Sequence, residues 1–72
     1  MSTDEKNRQF HSELSKAIEL AGGQEELGEI CGISQQAVSY WFKTLTVPGK
    51  KASKISNHFE GEVSALVLIN AA

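Results

Sequence analysis

Helix breakers at Gly22-Gly23, Gly32, Pro48-Gly49 and Gly61 cut the chain into segments of about 20 residues or fewer. Pieces that short are marginal alone and gain stability only by packing an apolar stripe against a neighbour. The first piece opens at Ser2-Thr3-Asp4-Glu5, with Ser2 and Glu5 at capping-box spacing. Phe10, Leu14, Ala17, Ile18 and Ala21 then recur at helical intervals until Gly22-Gly23 stops the helix. Gln24-Glu25-Glu26 starts a second helix, its acids well placed for the helix dipole, and Gly32 ends it about two turns later. Ser34 is a good N-cap for a third helix through Phe42 or Lys43. Thr44 to Gly49 reads as a loop, with Pro48 suited to the first turn of the next helix. That fourth helix places Ala52, Ile55 and Phe59 on one side and Lys50, Lys51 and Lys54 away from it, and Gly61 closes it. Residues 62–72 leave two alternatives open, a short helix capped by Ser64 or a β-strand, with the helix preferred.

A chain of 72 residues makes a single domain over residues 1–72, all-α, a compact bundle of four or five helices. Its net charge of −2 argues against a nucleic-acid partner until the distribution is considered. Residues 1–33 carry −4 and residues 60–72 carry −2, whereas residues 34–59 hold four lysines and no acid. The single cysteine, Cys31, excludes an internal disulfide framework and points to a reducing setting. No apolar run approaches membrane-spanning length, and MSTDEKNRQ lacks the apolar region of a signal peptide. A cytoplasmic protein is expected. His11 and His58 are isolated, and no nucleophile set or metal-ligand spacing appears. No enzyme, metal or cofactor is therefore expected.

The second and third helices, Gln24 to Lys43, have helix-turn-helix spacing. Gly28 sits where the two helices come closest. Gly32 takes the turn, where a positive φ is easiest without a Cβ. Leu27, Cys31, Ile33, Val38 and Trp41 are expected inside. Gln35, Gln36, Ser39, Tyr40 and Lys43 then point outward. Neutral hydrogen-bonding groups on that face suit insertion into a DNA major groove. Glutamine matches adenine there, and an acid would repel phosphate.

The stretch AIELAGGQEELGEICGISQQAVSYWF, followed by VPGKKASKI, resembles the lambda-repressor-like helix-turn-helix domains. It is most similar to the small prophage Cro-like regulators of the YdaS type, and the resemblance runs from about Ala17 to Leu68. It implies a bundle that binds double-stranded operator DNA, usually as a homodimer. Gln35, Gln36 and Ser39 would face bases. Gln24, Ser34, Tyr40 and Lys43 would meet the backbone or groove edge, and Lys50, Lys51 and Lys54 would bind phosphates. The sequence departs from the family twice. Gly28 stands where Ala is usual, so Gly28→Ala is expected to be neutral or stabilising by up to ~1 kcal/mol. The tail after Ser64 is more apolar than the family pattern, which suits core, a homodimer contact or, as an alternative function, an antitoxin-like surface for a toxin-like protein partner.

Overall fold

Thr3–Ala21 forms α1, Gln24–Cys31 α2, Gln35–Thr44 α3, Gly49–His58 α4 and Ala65–Ile69 α5. This computed structural model describes residues 3–70. The expected capping-box residue Ser2 lies outside them. Among the described residues there is no strand, and the Cα radius of gyration is 11.0 Å. A chain of this length folded around one core should give about 11 Å. That core is one cluster drawn from all five helices and from the α3–α4 and α4–α5 loops. Phe10, Leu14, Leu27, Val38, Val47, Ile55, Val63 and Leu68 are fully buried in it.

The helix boundaries follow local chemistry. Gly23 donates to Ile18 O at 2.9 Å and Gly22 to Glu19 O at 3.2 Å, the paired bonds that close a helix end. The same pattern recurs at α2, where Ile33 donates to Gly28 O at 2.8 Å and Gly32 to Glu29 O at 3.2 Å. Gly32 adopts φ 72° and ψ 32°, left-handed as expected. Ser34 accepts a hydrogen bond from the Ala37 amide at 3.2 Å and so caps α3. That helix runs one residue beyond the expected Lys43, because Leu45 takes φ 59° and donates back to Trp41 O at 2.8 Å.

Two other expectations need correction. Pro48 is the residue before α4, not part of its first turn. Gly61, by contrast, does close α4: the helix ends at His58, Glu60 and Gly61 are both left-handed at φ 53° and 83°, and Glu60 donates to Asn57 O at 3.2 Å. Gly61 then donates to Ser56 O at 2.9 Å. Ile33 is half-buried and packs against the core instead of lying in it. Among the described residues of the 62–72 segment the preferred short helix is the one formed, not the strand: Ala65–Ile69 is helical, with Ser64 accepting from the Val67 amide at 3.3 Å.

Both ends of α5 are held. At its start Ser64 N–H donates to Glu13 Oε2 of α1 at 2.6 Å. At its end, Leu68 O accepts from Val47 N–H at 2.8 Å and Ile69 O from the Thr46 hydroxyl at 2.6 Å. Asn70 takes φ 52° and its Nδ2 donates to Leu45 O at 2.8 Å and to Asn7 Oδ1 at 3.2 Å. Carbonyls that a short helix leaves unpaired are thus satisfied by the α3–α4 loop. Val63 and Leu68 point into the core, while Leu66 is 81% exposed. Leu68→Asp would leave an unpaired charge in the core and should cost about 3–5 kcal/mol. Leu66→Asp should stay within about 0.5 kcal/mol of the parent. Urea denaturation separates the two, and equal losses would place Leu66 in the core as well.

Gly28 corrects a further expectation. A Cβ built on it would lie 2.7 Å from Ile33 O and 3.3 Å from Ser34 C and O, all backbone atoms. Those atoms cannot swing aside, because Ile33 N–H is already bonded to Gly28 O. Forcing a methyl into packed backbone costs about 1–3 kcal/mol, from which the ~1 kcal/mol of helix propensity that alanine adds is subtracted. Gly28→Ala should therefore lower stability by up to about 2 kcal/mol, and the melting temperature by up to about 8–16 °C. A melting temperature at or above the parent's would show that the close approach is absent.

Candidate nucleic-acid interface

Ser34 fixes where α3 begins, and the 3.6-residue repeat then sorts its side chains. Val38 and Trp41 are buried at 0% and 6% exposure. Gln35, Gln36, Ser39, Tyr40 and Lys43 are all exposed, as is Ser34 itself. Tyr40 stands out at 61% exposure, so its ring is a surface group and not a core one. Phe42 is half-buried against His11 of α1, with ring centroids 5.3 Å apart, which ties the back of α3 to the first helix. The result is a helix with a locked back and a front of amide, hydroxyl and phenol groups. Such a front can donate and accept hydrogen bonds side by side, as base edges require.

The lysines do not behave alike. Lys43, Lys50 and Lys54 are exposed, and among the described residues no carboxylate pairs with them. Lys51 is half-buried and does not point away from the apolar side as expected. Its Nζ donates to the carbonyl of Cys31, the last residue of α2, at 3.0 Å. Gln24 is half-buried at the start of α2 beside the exposed Glu25 and Glu26, apart in sequence from the acid-free block. Pro48 supplies no side-chain cap to α4.

Cys31 itself is 1% exposed. Burial pushes its thiol above the ordinary value, against the lowering pull of Lys51 and Lys54. It stays a protonated, apolar filler at neutral pH.

Sequence reasoning missed the Lys51 bond and the Asn70–Leu45 bond. A hint of the first was available: the last turn of α2 holds no basic residue, so its carbonyl end lacks a cation of its own. No such hint pointed to the second. Among the described residues no helix is long and apolar enough to cross a membrane.

No curated protein and no solved structure matches the chain. A family model described as "Bacterial toxin YdaS" matches residues 14–68. That span takes in every buried apolar residue except Phe10, together with the whole of α2 to α5 save Ile69. The match therefore covers the structural unit itself, and the chain belongs to the YdaS family.

Proposed function

We propose that this protein is a sequence-specific transcriptional regulator, a Cro-like repressor of prophage origin that covers operator DNA by placing α3 in the major groove. The observation that carries the reading is the exposed face of Gln35, Gln36, Ser39 and Tyr40 on a helix locked from behind, within a block of 26 residues free of acid. Gln35 and Gln36 sit at the N-terminal end of α3, the end that enters the groove in helix-turn-helix docking. Lys43, Lys50 and Lys54 supply salt-sensitive phosphate contacts. A homodimer doubles the short site that one probe helix reads, and Leu66 on α5 is the apolar residue offered for pairing.

The family's description as a bacterial toxin, together with the 81% exposure of Leu66, favours a second reading. In it the chain is one half of a toxin–antitoxin pair and α5 docks on a protein partner. Titration against DNA decides between them. Gln35→Ala or Gln36→Ala should lose about 1–3 kcal/mol of binding to the preferred site selected from a random pool, and almost nothing on random DNA at the same salt. Equal losses on both would make the glutamines backbone contacts. Absence of any DNA binding by the parent would move the assignment to the protein-interaction reading. Sedimentation of Leu66→Asp with and without the selected site tests the dimer: its mass on DNA should fall to one protomer, and an unchanged mass would remove α5 from the interface.

A further inference from the structure

Four lysines lie between residues 34 and 59, and one of them is committed inside the fold. Lys51 reaches from the first turn of α4 to the carbonyl of Cys31, twenty residues earlier, at 3.0 Å. Cys31 ends α2, whose final carbonyls carry the negative end of the helix dipole. The helix has no basic residue of its own in its last turn, so a cation from α4 takes that place. The bond lies at the turn that sets the direction of α3, directly before Gly32, Ile33 and Ser34. Its surroundings are partly buried, so the charge gains more from the carbonyl than it would in water.

We propose that Lys51 is a positioning residue, a strut between α4 and the α2–α3 turn that aims α3, and that its charge is not offered to phosphate. This deepens, and rests on, the DNA-binding reading of the same face. The exposed Lys50 and Lys54, on either side of it in sequence, are the phosphate-contacting pair. Removing Lys51 should then harm discrimination between sequences, while removing either neighbour should weaken binding to all sequences alike.

The test uses Lys51→Met, which keeps the apolar stem and loses the donor, Lys51→Arg, which keeps a cationic donor, and Lys50→Ala and Lys54→Ala as comparators. Lys51→Met should lose several degrees of melting temperature and about tenfold in affinity for the selected site, the size of one base contact. Its dependence of log K on log salt should match the parent's. Lys51→Arg should recover both losses. Lys50→Ala and Lys54→Ala should melt like the parent, and each should flatten the salt dependence by ~0.9. A Lys51→Met variant that melts like the parent and flattens the salt dependence by ~0.9 would overturn the proposal and make Lys51 a phosphate contact. So would a melting loss that Lys51→Arg does not recover. If the parent binds no DNA, the reading of function fails and the aiming role fails with it, while the melting data still decide whether Lys51 braces the turn.

Discussion

Ile33 donates its amide to Gly28 across the α2–α3 turn at 2.8 Å, and the backbone at Ile33 and Ser34 lies against Gly28 so closely that no Cβ fits between them. Much of the rest of the structure leans on that contact. It sets how near α3 comes to α2, and so which side chains of α3 are covered. Val38 and Trp41 fill the space behind it with Leu27 and Cys31. Once they are buried, helical periodicity alone puts the glutamines, Ser39 and Tyr40 in solvent. A glycine in mid-helix weakens the helix by about 1 kcal/mol relative to alanine. Here the loss is offset by a close helix approach that alanine would forbid.

The short α5 shows how a small domain completes its core. Five residues cannot hold a helix by propensity alone. Its ends are held instead by groups from distant parts of the chain: Glu13 at the start, and Thr46, Val47 and the Leu45 carbonyl, which accepts from the capping Asn70, at the end. Asn70 also accepts a left-handed backbone more readily than most residues and uses its side chain to satisfy Leu45 O. Leu45 is itself left-handed, a conformation that costs roughly 1–2 kcal/mol outside glycine. The two strained helix ends thus brace each other, and the α3–α4 loop that carries Val47 into the core is fixed by the same bonds.

Charge in this protein is separated along the chain. The acids of residues 1–33 fall on α1 and α2, and the lysines of residues 34–59 on α3 and α4. The Lys16–Glu13 pair at 3.4 Å is local to α1, and as a partly exposed pair it adds little stability. With Lys51 turned inward to Cys31, the exposed cations of the second half are Lys43, Lys50 and Lys54. A net charge summed over the whole molecule conceals this, because a ligand meets one face at a time.

The chain by itself determined the helices and most of the candidate face. Breakers, caps and apolar spacing act over a few residues. Gly22-Gly23, Gly32, Ser34 and Ser64 therefore announced their helix ends, and Val38 and Trp41 announced the buried side of α3. The outward set Gln35, Gln36, Ser39, Tyr40 and Lys43 followed from that same period. What only the tertiary structure decided were contacts between residues far apart. Glu13 and Ser64 are 51 positions apart, Leu45 and Asn70 are 25, and Cys31 and Lys51 are 20. No periodicity links such residues, so neither the commitment of Lys51 nor the clamp on α5 could be read from their spacing. Gly28 belongs to both kinds. Its lack of a side chain was visible in the sequence, but whether alanine would help or harm depended on a gap of a few tenths of an ångström that exists only once the two helices have crossed.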